Sequence, residues 1–184
     1  MLKILGTGET LKFHTKVDGE TIGVNDIWGF VETDYILTVD DFNNFKQKRY
    51  FPRLQKSISR LECIKQSKPQ KFLSQLTCWK DVVNYEHIRI TRFNGVGSLK
   101  EIQYSNNSPF VALSWAINNG YKTISFFGVD FVSHKNLSYG AHPGRFQKLI
   151  ADYKDIAVFC KQYGIKVYAG DRYSILADIF PVLK

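Results

Sequence analysis

Six short apolar runs, each about strand length and each ending in polar residues, constrain this chain more than any other feature. Lys3-Ile4-Leu5 runs into Gly6-Thr7-Gly8, Thr21-Ile22-Gly23-Val24 stops at Asn25-Asp26, and Tyr35-Ile36-Leu37-Thr38-Val39 stops at Asp40-Asp41. His87-Ile88-Arg89-Ile90-Thr91, Thr123-Ile124-Ser125-Phe126-Phe127 followed by Gly128-Val129-Asp130, and Ile165-Lys166-Val167-Tyr168 complete the series. Amphipathic stretches lie between the runs, and this alternation is the pattern of a parallel sheet crossed by helices. In such folds the carboxyl ends of the strands open on the crevice where ligands bind. The expected fold is α/β: a doubly wound, mainly parallel sheet flanked by helices, in a single domain over 1–184.

Three helices fit the intervals. Pro109 to Asn119 carries Phe110, Leu113 and Ile117 on one face, with Ser108 expected as N-cap and Gly120 as the stop. Arg145 to Tyr163 repeats apolar residues at helical spacing and ends at Gly164. Pro52 to Ile64 is the third, with Pro52 in its first turn, an apolar face of Leu54, Ile58 and Leu61, and Arg53, Lys56 and Arg60 on the solvent side.

The net charge of +8 is concentrated in one place. Residues 46–71 hold nine basic residues and one acid, so the remainder of the 184-residue chain is neutral. A neutral domain with one basic helical segment points to one anionic partner at one site, with Arg53, Lys56 and Arg60 as the contacts. An anionic glycan, a membrane surface and nucleic acid all fit that description, as does a merely solvated face.

No apolar run reaches the ~18–20 residues of a membrane span, and Met1 to Gly6 is too short and too soon polar for a signal peptide. Cys63, Cys78 and Cys160 are widely spaced and odd in number, which argues against a disulfide framework or a thiolate zinc site. Each is expected as a small buried hydrophobe. The expected location is the cytoplasm, including the periphery of a membrane.

Candidate chemistry sits at the strand ends. Gly6-Thr7-Gly8 is the start of a glycine-rich turn that lets backbone approach a phosphate, although Leu11 stands where a third glycine would complete G-x-G-x-x-G. A P-loop is absent. Asn25 is either a turn former or an amide presented to a nucleotide. Asp40-Asp41 is not a D-x-D pair, and adjacent carboxylates on an extended chain face opposite ways, so no metal is expected. Among four histidines, His142 stands before Pro143-Gly144 near the start of the long helix, whose positive end favours a neutral, basic imidazole. An exposed loop histidine is the competing reading, and His134 is a second candidate.

In order, these motifs resemble the small bacterial sialyltransferases that decorate lipooligosaccharide. The likeness rests on Ile4-Leu5-Gly6-Thr7-Gly8-Glu9-Thr10-Leu11, on Gly23-Val24-Asn25, and on Asn107-Ser108-Pro109-Phe110. It is strongest where the helix reaches Gly120-Tyr121-Lys122 and the strand reads Ile124-Ser125-Phe126-Phe127-Gly128-Val129-Asp130-Phe131. Tyr163 to Tyr168 and Ser174 to Ala177 are similar to that family's closing strand and loop.

The resemblance implies a Rossmann-like domain that uses a CMP-linked sugar without a metal or other cofactor. It implies that Gly6, Thr7, Gly8 and Asn25 hold the nucleotide, that Ser108 and Tyr139 lie near its phosphate or sugar, and that His142 is the general base. Two departures stand out: Thr7 replaces the usual asparagine, and only Val132 to Ala141 separates the G-x-D-F strand from the histidine. Where that family has a long lid, so short a segment leaves two other readings open. One is a non-catalytic nucleotide- or nucleic-acid-binding protein, and the other a hydrolase of nucleotides or nucleotide-sugars.

Overall fold

A computed structural model describes residues 1–95, 101–105, 107–131 and 143–184. Its strands are β1 (Leu2–Leu5), β2 (Glu20–Val24), β3 (Tyr35–Leu37), β4 (Lys48–Phe51), β5 (Lys56–Ser59), β6 (Lys71–Ser74), β7 (Tyr85–His87), β8 (Ile90–Arg92), β9 (Ile102–Tyr104), β10 (Thr123–Phe127) and β11 (Lys166–Ala169). Its α-helices are α1 (Arg60–Ser67), α2 (Ser108–Asn118) and α3 (Pro143–Gln162).

Seven strands form one parallel sheet in the order β11-β10-β1-β2-β3-β6-β7. The chain starts at the centre, winds outward through β2, β3, β6 and β7, then returns to the other side of β1. Strand order therefore reverses between β1 and β10, as the doubly wound reading expects.

Period-two alternation sends neighbouring side chains to opposite faces. Leu2 and Ile4 of β1, Leu37 of β3, Leu73 of β6 and Phe126 of β10 join Phe110, Leu113 and Tyr153 in the larger core. Ile36 and Phe72 face the other way, onto Trp28, Phe45 and Trp79, while Leu5 and Phe127 pack on Leu11 and Ile27.

Helix α2 is buried almost all round, from Ser108 to Ala116, because it packs between the sheet and β9. Its N-cap is Asn107, whose Oδ1 accepts the Phe110 N–H at 2.8 Å, so Ser108 is the first helical residue and not the cap. Gly120 and Gly164 stop their helices with φ of +81° and +65°.

The helix expected over 52–64 is a hairpin followed by a shorter helix. Strands β4 and β5 pair antiparallel from Lys48↔Ser59 to Phe51↔Lys56, and the turn closes on Gln55 at φ +50°. Only at Arg60 does helix begin, with Ser59 and Glu62 forming a reciprocal capping box. The strand expected over 87–91 is also divided. β7 ends at His87 and joins the main sheet, whereas β8 starts at Ile90 and pairs with β9 in a separate two-stranded sheet.

Candidate nucleotide site

The Gly6-Thr7-Gly8 turn is locked to the end of β10. Gly6 N–H donates to Phe127 O and Gly8 N–H to Gly128 O, each at 2.8 Å. Asp130, buried, accepts the Thr10 N–H at 2.9 Å and the Thr10 hydroxyl, while the Gly128 N–H donates to Thr10 Oγ1 at 2.8 Å. The glycines at 6, 8 and 128 are required by this close approach: a Cβ on Gly8 would stand 2.9 Å from Gly128 O. Two of the turn amides expected to cradle a phosphate are thus spent on the protein itself. Among the described residues, the Thr7 and Glu9 amides have no acceptor.

Thr10→Val tests this clasp. It removes one hydrogen bond to a buried carboxylate and orphans the Gly128 N–H, a loss of about 2 kcal/mol. Thermal unfolding of the variant is expected to fall by about 4–8 °C for a chain of this size; an unchanged midpoint would show that the clasp contributes nothing.

Beside the turn, Asn25 and Ser108 come together from positions 83 residues apart. Asn25 follows β2 in the left-handed region, φ +52°, and opens a 3-10 turn over Asn25–Gly29. Its Oδ1 accepts the hydroxyls of Ser108 and Thr38, each at 3.3 Å. Thr38, buried at the end of β3, in turn accepts the Asp40 N–H at 3.2 Å. The two N–H donors of the Asn25 side-chain amide have no acceptor among the described residues. Sequence reasoning missed Thr38, although a threonine at a strand's carboxyl end was the available signal.

The first turn of α2 is nearly spent as an anion site. Pro109 has no N–H, and Phe110 and Val111 donate to Asn107. Among the described residues, what remains at that end is the Ser108 amide, because the Ser108 hydroxyl donates to Asn25 Oδ1. Nearby, burial raises the Asp40 carboxyl above the usual range; the Arg60 charge pulls it back down and the Asp26 charge pushes it up.

The basic segment is less available than its charge suggests. Arg60 is buried; it pairs with Asp26, donates to Asn44 O at 2.8 Å and lies 3.9 Å over the Phe45 ring. Arg49 reaches the same Asp26 at 2.6 Å, Arg53 donates to Trp28 O at 2.8 Å and pairs with Glu32 at 3.1 Å, and Lys71 pairs with Glu86 at 2.8 Å. Arg53, Lys56 and Arg60 therefore do not form one solvent-facing stripe; Lys56 alone of the three is exposed.

Cys63 and Cys160 are buried, and burial pushes their thiols up to about 11 and about 12. Cys78 is exposed, contrary to expectation. His142, His134 and Tyr139 lie outside the described residues, as does the segment 132–142. Among the described residues no group of His, Cys, Asp and Glu could hold a metal ion, and no helix is long and apolar enough to cross a membrane.

The fold is sialyltransferase-like by its similarity to solved structures. Three of the solved structures it is similar to illustrate this. One is the sialyltransferase CstII from Campylobacter jejuni in complex with cytidine-5'-monophosphate, with a TM-score of 0.57, 14% identity, and coverage of 100% of this chain and 84% of that one. CST-II in complex with a trisaccharide acceptor and CMP gives 0.58, 15%, 100% and 86%. The monofunctional α-2,3-sialyltransferase Cst-I from Campylobacter jejuni gives 0.56, 16%, 98% and 79%. No protein-family profile and no curated protein matches the chain by sequence.

Proposed function

We propose that the chain is a glycosyltransferase that takes a CMP-linked sugar. The observation that carries this reading is the convergence of Asn25, Thr38 and Ser108 on the carboxyl edge of the parallel sheet. The fold it shares with proteins described as CMP-bound sialyltransferases supports it. In this reading the Asn25 amide donates to the cytidine nucleotide. The Ser108 amide, at the positive end of α2, offsets the charge gathering on the departing phosphate, while the Ser108 hydroxyl, donating to Asn25 Oδ1, orients the Asn25 amide. Thr7 and Glu9 amides complete the donor set in place of Gly6 and Gly8.

The transfer is a displacement at the anomeric carbon. The acceptor oxygen forms its bond there as the bond to the CMP phosphate breaks, and the phosphate keeps the electron pair. A base must take the acceptor's proton. His142 is our candidate, from its place in the sequence immediately before Pro143, the first residue of α3; the neutral imidazole that a helix N-terminus favours suits that role.

Calorimetry with CMP, UMP and AMP tests the nucleotide half. CMP should bind best, and Asn25→Ala and Ser108→Ala should each weaken it by about tenfold, the loss of one hydrogen bond to a polar or charged group. Equal affinity for all three nucleotides, or none, overturns the reading. Turnover of CMP-sialic acid with and without lactose then separates transfer from hydrolysis, and His142→Ala should bind CMP normally while losing turnover.

A further inference from the structure

A polar cavity lies apart from the residues of the Asn25 cluster. It measures about 420 Å³ and opens between β8, β9, the turn after β6 and the start of α3. Its walls include Gln75, Thr91, Arg92, Tyr104, Ser105 and Lys148, and no acidic side chain is among its described lining. Two of its lining residues stand close along the chain to residues of the candidate nucleotide site. Ser105 lies three residues before Ser108, and Gln75 follows two residues after Leu73, whose carbonyl accepts the Thr38 N–H at 3.1 Å.

Its charge can be resolved group by group. Lys148 Nζ donates to both carboxylate oxygens of Asp152, at 2.9 and 2.7 Å, and Ser105 donates to the same buried carboxylate. That pair is neutral as a unit, and it uses two of the three ammonium donors. Arg92 is exposed and has no acidic partner among the described residues. One uncompensated guanidinium therefore sets the sign of the cavity, with the third Lys148 N–H, the Thr91 hydroxyl and the Gln75 amide around it. A guanidinium beside hydroxyl and amide donors recognises a carboxylate or phosphate bidentately, and the volume is that of a small-molecule site.

We infer that this cavity binds an acidic sugar, holding its carboxylate or phosphate against Arg92. That the ligand is a sugar, and the acceptor of a transfer, rests on the CMP-donor reading; the anion preference does not.

Calorimetry on the full chain, with saturating CMP and without it, supplies the test. The probes are methyl glucuronide, glucose 6-phosphate and, as the neutral reference, methyl glucoside. At least one acidic sugar should bind tenfold or more tightly than the neutral one, and the two acids tell carboxylate from phosphate. Arg92→Gln should abolish the preference, Arg92→Lys should restore part of it, and both should bind CMP as the wild type does. Equal affinity for acidic and neutral sugars overturns the inference, as does a preference that survives Arg92→Gln. Acidic-sugar binding through Arg92 in a protein that ignores CMP would sink the donor reading and leave the cavity assignment standing.

Discussion

Gly128→Ala is expected to lower stability by about 4 kcal/mol, or roughly 8–16 °C in unfolding temperature for a chain of this length. Two costs add. The residue sits at φ +67°, where an L side chain costs ~1–2 kcal/mol. Its Cβ would also drive into the Gly6 carbonyl, with Gly6 C at 2.7 Å and Gly8 N at 3.1 Å behind it. Forced crowding of this kind costs a further ~1–3 kcal/mol. Relief by movement is blocked, because the Gly128 peptide is bonded on both sides: its N–H to Thr10 and its carbonyl from Gly8. Gly120→Ala is the control. It has a similar left-handed φ of +81° but nothing within 4 Å, so it should show the backbone cost alone. Equal losses in the two variants would remove the close-approach argument for the glycine turn.

That turn shows where the sequence was informative and where it stopped. Thr123 to Phe127 is a strand as expected, because four of its five residues are β-branched or aromatic. Asn25 and Ser108 were legible as strand-end and helix-start residues, and the fold brings them into contact. The partners of Gly6 and Gly8 were not legible, since a glycine pair looks alike whether it faces a phosphate or another loop.

Residues 48–59 misled for a different reason. Leu54, Ile58 and Leu61 satisfy a helical spacing, yet Phe51 and Ile58 also satisfy a hairpin's inward face. Tertiary packing of Phe51 against Gly29 and the Trp28 cluster favours the hairpin, and no local pattern records that. β6 was missed because Phe72 and Leu73 form an apolar run too short to stand out, although it is buried on both faces. The charge of residues 46–71 suggested a surface; that several of its cations serve acids elsewhere in the chain is information only the fold carries.

Arg60→Ala turns that last point into a measurement. Reading residues 46–71 as a binding face makes Arg60, like Lys56, a surface charge whose loss leaves folding intact. The structure makes the two residues opposites. Lys56 is exposed, and its replacement by alanine should change stability by no more than about 0.5 kcal/mol. Arg60 is buried against Phe45 and shares Asp26 with Arg49, so its removal breaks one buried ion pair, one hydrogen bond to Asn44 O and one cation–π contact. Severing a buried pair costs ~3–5 kcal/mol when the other charge is left alone; with Arg49 still on Asp26, a loss of about 3 kcal/mol is expected in urea unfolding. Arg60→Lys should fall between, keeping the charge but not the planar fork or the ring stacking. The effect should also reach the proposed nucleotide site. Asp26 follows Asn25 in the same 3-10 turn, and Arg60 is the charge that offsets the burial of Asp40, whose N–H bonds to Thr38. Under folding conditions Arg60→Ala should therefore bind CMP several-fold more weakly than wild type, and Lys56→Ala should not. Matching stabilities for the two alanine variants would place Arg60 on the surface and return the basic segment to its role as a binding face.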